Sequence, residues 1–246
     1  MYSSLTNKYI PSIHYRKRTA KIDTITIHRM AGNLSIETCG KVFQNKDRLA
    51  SSNYGIGSDG RIACYVPDDY RAITSSNWKN DDRAITIEVA NIKGEPNWEI
   101  SDKALCALIE LCADICIRYE IPKLLWHDDK NLIGQIDKQN ITIHKWFTAT
   151  KCPGPYLHSK IPYIVSCVND KINGWNTMQI LPPYLVRVTA NVLNIRSIAG
   201  TDYKIVGTIK KGEVYTIVEE KIVGTMKWGK LKSGVGWICL NYTEKL

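Results

Sequence analysis

A histidine and a cysteine lie eight positions apart in the stretch HKWFTATKCPGPYL, which runs from His144 to Leu157 (152 − 144 = 8). Cys152 could act as a nucleophile served by His144, as a disulfide partner or as a metal ligand. A nucleophile needs a site for the oxyanion, and Pro153 has no backbone N–H to offer there. Two histidines and one thiolate with an open fourth position form a catalytic zinc arrangement. The spacing alone leaves these possibilities open.

A second histidine, His28, is the last residue but one of the stretch IDTITIHR. The alternation of apolar and polar residues predicts a buried strand in which Ile22, Ile25 and Ile27 lie near one another. The stretch SIETCGKVFQNKDRLAS that follows predicts a helix with Ser35 as its cap. The strand would therefore deliver His28 at its end.

A carboxylate lies in the middle of another apolar stretch, AITIEVAN, which predicts a central strand. A carboxylate at such a position is costly unless it is paired or takes part in chemistry. Glu88 is therefore either a catalytic group or a buried residue held by an arginine such as Arg83 or Arg71.

The remaining elements predict a mixed α/β layer structure. The runs SNYGIGS and RIACYV flank an Asp-Gly turn at 59–60, which is a strong hairpin signal. An amphipathic helix is expected from about 102 to 120, with Cys106, Cys112 and Cys116 as small hydrophobic residues on its buried face. A further helix is expected through YLHSKIPYIVSCVNDKI.

The composition changes at NGWNTMQILPPY, where glycine and proline indicate a linker. We expect one domain over 1–173, a linker over 174–184 and a second domain over 185–246. The short strand-like runs after the linker predict a small all-β barrel. This last segment has 10 Lys/Arg and 5 Asp/Glu, a net charge of +5 out of +9 for the whole chain.

The chain has 246 residues, of which 44% are hydrophobic and 23% charged, as is usual for folded domains. The first ten residues, MYSSLTNKYI, show neither a signal peptide nor a membrane span, so we expect synthesis in the cytoplasm, reduced cysteines and no membrane insertion. The charge of +9 favours an anionic partner. Nucleic acid, acidic lipid headgroups and cell-wall polymers all qualify on charge alone.

Four pieces of the chain, in order, resemble the N-acetylmuramoyl-L-alanine amidase type 2 family, the zinc amidases that include phage endolysins, autolysins and peptidoglycan recognition proteins. The pieces are ITIHRM, SSNYGIGSDGRIACYVPDD, AITIEVAN and HKWFTATKCPG. The resemblance covers roughly residues 20 to 160. It implies a mixed central sheet flanked by helices, and Zn²⁺ as the cofactor.

The resemblance also implies roles for single residues. Carried over by position, the zinc ligands fall on His28, His144 and Cys152, and a residue that polarises the substrate falls on Thr150. Glu88 would serve as general base and then general acid.

The chain departs from one branch of the family at the catalytic tyrosine, whose position falls on Ser52. Tyr54, two positions later, resembles a packing residue. Candidate substrate contacts are Asn53, Trp78, His127 and Trp146. For the tryptophans, core packing is the alternative, and for His127 it is a solvated loop.

The segment after the linker resembles a bacterial SH3 domain over VLNIRSIAGTDYKIVGTIKKGEVYTIV and WGKLKSGVGWICLNYTEKL. Such domains often tether hydrolases to peptidoglycan, although a merely structural accessory is the alternative. Together the two resemblances imply a hydrolase that cleaves between N-acetylmuramic acid and L-alanine, as a phage or prophage endolysin released through a holin. A non-catalytic peptidoglycan-binding or sensing protein is the alternative. Nucleic-acid binding has no recognition motif to support it.

Overall fold

Two large sheets organise the chain in this computed structural model, which describes residues 1–176, 183–201, 203–223 and 226–246. The chain divides into two units, Met1–Ile172 and Asn173–Leu246. The last helix of the first unit continues to Asn176, because no proline follows Gly174 closely enough to stop it and a single glycine costs a helix only about 1 kcal/mol. The rest of the predicted linker, over 177–182, lies outside the described residues.

The first unit contains eight strands and four helices. The strands are β1 Lys8–Tyr9, β2 Arg16–Lys17, β3 Thr24–Arg29, β4 Tyr54–Ile56, β5 Ile62–Cys64, β6 Tyr70–Arg71, β7 Ala84–Val89 and β8 Ile141–Ile143. The helices are α1 Ile36–Val42, α2 Trp78–Arg83, α3 Asp102–Arg118 and α4 Pro155–Asn176.

Six of these strands form a mixed sheet in the order β1-β5-β4-β7-β3-β8. The four strands β4, β7, β3 and β8 run parallel to one another, and β5 pairs antiparallel with β4 through the predicted hairpin. The strand expected to carry Glu88 is thus central, as predicted. The short strands β2 and β6 form a separate antiparallel pair.

The two faces of the sheet differ in chemistry. Ile25 and Ile27 belong to the main hydrophobic cluster, together with buried residues of α3 and α4. Residues that alternate with them, such as Thr26 and His28, point to the opposite face. One face therefore supplies the core, and the other carries polar groups.

The helices begin largely as the sequence predicts. The Ser35 hydroxyl accepts from the Thr38 N–H and caps α1, which is shorter than expected. It ends at Val42 because the Asn45 side chain accepts from the Asp47 N–H and forms a turn. In α3, Cys112 and Cys116 are buried, but Cys106 is exposed, which corrects the expectation that all three share the buried face.

In its described residues, the second unit has seven strands: β9 Tyr184–Val188, β10 Val192–Arg196, β11 Ile205–Lys210, β12 Val214–Val223, β13 Met226–Leu231, β14 Trp237–Cys239 and β15 Thr243–Lys245. They form one antiparallel sheet in the order β11-β10-β14-β13-β12-β9-β15. It has its own core, which includes Trp228 and Trp237. In the described part of the chain, no helix has the length and apolar character needed to cross a membrane.

Candidate active site

Three adjacent strands carry the same short pattern at or just beyond their carboxyl ends, namely threonine, isoleucine and then histidine or glutamate: TIH at 26–28, TIE at 86–88 and TIH at 142–144. In the parallel register, His28 pairs with Glu88, and Ile27 pairs with Ile143, which precedes His144. The carboxyl ends of parallel strands meet at one edge of a sheet. The fold therefore gathers His28, Glu88 and His144 at one edge, on the polar face.

A buried layer of threonines lies one step below these residues. The hydroxyl groups of Thr26 and Thr142 are 2.8 Å apart, and both bind the Asn80 side chain at 3.0 Å. The Thr86 hydroxyl lies 2.9 Å from that of Thr74. Because these buried groups are hydrogen-bonded, the layer is a rigid support for the ends of the three strands.

Cys152 completes a compact cluster with the two histidines. The ligand atoms offered by His28, His144 and Cys152 all lie within 4.8 Å of one another. The Cys152 Sγ is 3.6 Å from His28 Nδ1 and accepts from the Arg29 N–H at 3.4 Å. The loop that carries the cysteine is held by the Lys145 N–H, which donates to the Cys152 carbonyl at 3.1 Å.

The donor set of this cluster fits zinc. Burial lowers the pKa of both imidazoles, so the two rings are neutral, as metal ligation requires. Each ring also has a buried Nε2 without a hydrogen-bond partner in the described residues. Burial raises the pKa of the Cys152 thiol to about 12, and a bound cation would oppose this effect by favouring the thiolate. Two imidazoles and one sulfur are a common ligand set for zinc.

Glu88 is part-buried beside the cluster, and its Oε2 has no partner among the described residues. Arg83 pairs instead with Asp23 at 2.6 Å, and Arg71 lies 4.0 Å from Asp82, so neither of the two arginines named as possible partners holds Glu88. Burial raises its pKa to about 8, against the opposing charges of Arg29 and Arg48. The carboxyl group can therefore hold a proton near neutral pH.

Two further residues lie close to the cluster. The Thr150 hydroxyl accepts from the Cys152 N–H at 3.2 Å, which places the threonine in the loop of that cysteine. Trp146, in a 3₁₀ helix that begins at His144, stacks on Trp126 with ring centroids 5.1 Å apart, and both tryptophans pack against the core.

The other expected substrate contacts are more scattered. Trp78 is 60% exposed at the start of α2, the helix whose Asn80 binds the threonine layer on the polar face. His127 is exposed, and its backbone N–H donates to Gln139. For these two residues a substrate contact stays a prediction.

Asn53 and Tyr54 are interior residues. Asn53 has no exposed surface, and its amide donates to the carbonyls of Val66 and Tyr70, which corrects the expectation of a substrate contact. Tyr54 is also fully buried, and its hydroxyl donates to Asp68 at 2.8 Å. The packing interpretation of Tyr54 is confirmed.

The sequence reasoning missed Arg29 and Trp98. The Arg29 guanidinium lies 3.6 Å from the centre of the Trp98 ring, and both side chains have buried nitrogen atoms without partners in the described part of the chain. The position of Arg29 directly after the candidate ligand His28 could have identified this arginine from the sequence.

Comparisons with known proteins bear on the fold and the family of the chain. No curated protein sequence matches the chain. A selenomethionine derivative of AmpD is 18% identical, with a TM-score of 0.51 over 67% of this chain and 96% of that one. The Drosophila peptidoglycan recognition protein SA is 19% identical, with a TM-score of 0.44 over 62% of this chain and 84% of that one. The likeness to the AmpD structure, at 18% identity, shows the fold alone.

The sequence profiles of two families match separate parts of the chain. One is the bacterial SH3 domain, over residues 191–242. The other is N-acetylmuramoyl-L-alanine amidase, over residues 18–155, which is more than half of the chain and includes His28, Glu88, His144 and Cys152. The chain therefore belongs to the N-acetylmuramoyl-L-alanine amidase family and carries a bacterial SH3 domain after its amidase domain.

Proposed function

We propose that the protein is a zinc-dependent peptidoglycan hydrolase that cleaves the amide bond between N-acetylmuramic acid and the L-alanine of the stem peptide. The observation that carries this proposal is the His28, His144 and Cys152 cluster, with Glu88 beside it, whose buried Oε2 has no partner among the described residues. Amide hydrolysis needs an activated water and a proton for the leaving amine. The ligand cluster would serve the activation of water, and Glu88 would supply the proton for the leaving amine.

The three clustered residues would hold the zinc, which when bound supplies a Lewis acid that activates water and polarises a carbonyl. Glu88 takes a proton from the attacking water and returns it to the nitrogen of L-alanine. A carboxyl group with a pKa raised by burial suits the second of these transfers. The Thr150 hydroxyl lies in the same loop as Cys152 and would donate to the developing oxyanion.

In this proposal, the second unit binds the cell wall and keeps the amidase domain at its substrate. A bacterial SH3 domain with a net charge of +5 (10 − 5) over 185–246 would hold the amidase on an anionic cell wall. We extend the proposal to an endolysin that reaches the wall through a holin. Expression in a bacterial cytoplasm with and without a holin tests this extension, and lysis is expected only with the holin.

Digestion of purified cell walls tests the proposed reaction. Mass spectrometry should find stem peptides that begin with L-alanine and glycan strands freed of peptide. The Glu88→Gln protein is the matched control, because it keeps the ligand cluster. A protein that binds walls and releases no peptide would instead be a binding or sensing protein.

A further inference from the structure

Arg29 presents an unpaired guanidinium group next to the candidate ligands. Its backbone N–H donates to the Cys152 Sγ at 3.4 Å, and the residue as a whole is part-buried. Its Nε and Nη1 have almost no exposed surface and no partner among the described residues. Buried charged groups are normally paired, because an unpaired donor loses its hydration without compensation. The guanidinium can therefore accept a hydrogen-bonding partner that the described residues do not supply.

The side chain of Arg29 is fixed in place by its neighbours. The guanidinium stacks on the ring of Trp98 at 3.6 Å, a geometry that stabilises a cation on an aromatic face. Trp98 has a backbone φ of 55° and is held there by Asn91, whose side chain donates to the Trp98 carbonyl at 2.8 Å. On the other side, a Cβ at Gly154 would lie 3.3 Å from Arg29 Cδ and 3.0 Å from Trp98 Cβ.

No acidic side chain in the described part of the chain forms an ion pair with Arg29. Glu95 pairs with Lys151 at 2.8 Å. The charge of Arg29 acts on Glu88, but the buried Oε2 of Glu88 has no hydrogen-bond partner among the described residues. Next to this stack, Gly154 also lines an open recess of about 430 Å³, whose charged lining consists of two lysines, Lys145 and Lys151, and one acidic residue, Glu95. The surroundings of Arg29 thus favour an anionic ligand.

We propose that Arg29 is a binding residue for a carboxylate of the substrate, so that the site prefers stem peptides with a free carboxyl group close to the cleaved bond. This proposal rests on the amidase function proposed above. A guanidinium donates two parallel hydrogen bonds to a carboxylate, which fixes both the position and the orientation of the bound group. A primary amide in the same place carries no charge and offers only one acceptor oxygen, and its NH₂ would face the N–H groups of Arg29.

Two synthetic muramyl peptides test the proposal. Both contain the bond to L-alanine, and they differ only in the next residue, which carries either a free carboxyl group or its primary amide, with all other carboxyl groups blocked. We would measure kcat/KM on both peptides, and the zinc content, for the wild type, Arg29→Gln, Arg29→Lys and Arg48→Gln. Arg48→Gln is the charge-matched control, because Arg48 also acts on Glu88 but is exposed and outside the Trp98 stack.

The wild type should prefer the acid over the amide by about 10- to 100-fold, the range for charge-assisted hydrogen bonds. Arg29→Gln should bring this ratio close to 1 with zinc retained, and Arg29→Lys should give an intermediate ratio. Arg48→Gln should keep the wild-type ratio. An equal loss on both peptides in Arg29→Gln would mean that Arg29 acts on Glu88 or the ligands, and would overturn the proposal. If Arg48→Gln also lowers the ratio of kcat/KM for the acid to that for the amide, the preference for the acid comes from long-range charge and not from contact with Arg29.

A binding measurement separates this proposal from the proposed function. Calorimetry of the two peptides on the Glu88→Gln protein needs no turnover and should show the same preference for the acid. If the wild type cleaves neither peptide, the proposed reaction fails, whereas equal binding of acid and amide refutes the role of Arg29 alone.

Discussion

His28 and Glu88 are directly paired across the parallel strands β3 and β7. Both side chains lie on the polar face, above a pair of aligned threonines, Thr26 and Thr86. The ligand cluster, however, consists of His28, His144 and Cys152, without the carboxylate. The fold therefore places a titratable carboxyl group beside a candidate metal site and outside its ligand set.

Glu88→Gln should separate catalysis from metal binding. The variant keeps the shape of the side chain but cannot accept a proton, so zinc content should stay near one per chain while turnover falls about 10²- to 10⁴-fold. Elemental analysis and one soluble muropeptide substrate measure the two quantities. A fully active variant would return Glu88 to a structural role.

Cys152→Ala should remove metal and activity together. The variant leaves two histidines, which make a poor zinc site, and structural or catalytic zinc needs a third protein ligand. Zinc content after gel filtration is the measurement, and Cys106→Ala, at an exposed cysteine of α3, is the control that should keep both zinc and activity. Retention of stoichiometric zinc by Cys152→Ala would contradict the ligand assignment.

In the zinc-free protein, Glu88 should titrate near pH 8, because burial raises its pKa from the ordinary value of 4.5 to about 8. Between these two values the folded protein keeps a proton that the unfolded chain has released. Stability should therefore fall as the pH rises through this window, by at most about 1.4 kcal/mol per pH unit, and then level off. The free energy of unfolding of Glu88→Gln lacks this pH-dependent contribution, because glutamine does not titrate.

Urea unfolding of zinc-free wild type and Glu88→Gln at pH 5.5, 7 and 8.5 gives the difference between their free energies of unfolding. The second unit is the same in both proteins, so its contribution does not affect this difference. Carboxyl ¹³C NMR gives the pKa directly. Added zinc should shift it downwards, because a nearby cation favours the carboxylate. A difference in stability that does not change with pH would show that Glu88 is already ionised in the zinc-free fold.

Tyr54→Phe should cost stability and leave the chemistry intact. The Tyr54 hydroxyl accepts from the Ser3 N–H at 2.9 Å and donates to Asp68 at 2.8 Å, all in the interior. Removal of the hydroxyl leaves both groups short of a partner, at a cost of about 1–3 kcal/mol. Denaturant unfolding measures the loss, and kcat per zinc-loaded molecule should equal that of the wild type. A large fall in kcat at unchanged zinc content would reopen a catalytic role.

The sequence predicted the strands and hairpin that build the site because their patterns are local. Alternation in IDTITIHR, the apolar run AITIEVAN and the Asp-Gly turn each depend on a few neighbouring residues. The meeting of His28, His144 and Cys152 depends on the parallel register of β3, β7 and β8, which no single stretch encodes. The resemblance to a family, and not any local pattern, predicted that His28, His144 and Cys152 meet.

The errors have a common physical cause in long-range contacts. Asn53 looks like a polar surface residue in sequence, but its amide satisfies backbone carbonyls of Val66 and Tyr70 inside the fold. The Arg29–Trp98 stack joins residues that are about 70 positions apart. Contacts of this kind become visible only when loops that are distant in sequence fold against each other.

Removal of the second unit should weaken action on intact walls more than on small substrates. A protein of residues 1–176 keeps the ligand cluster, Glu88 and the sheet that holds them, so it should bind zinc and cleave a soluble muropeptide at the rate of the full chain. Co-sedimentation with purified walls should fall, because the shortened protein lacks the SH3 domain and its net charge of +5 (10 − 5). Equal sedimentation of the short and full proteins would show that the amidase domain alone accounts for wall binding.

Rising salt should lower wall digestion by the full chain, because exposed charges are screened beyond about 8 Å at physiological ionic strength. The same salt should hardly change cleavage of the soluble muropeptide. An equal effect of salt on both substrates would instead locate the salt sensitivity in the active site.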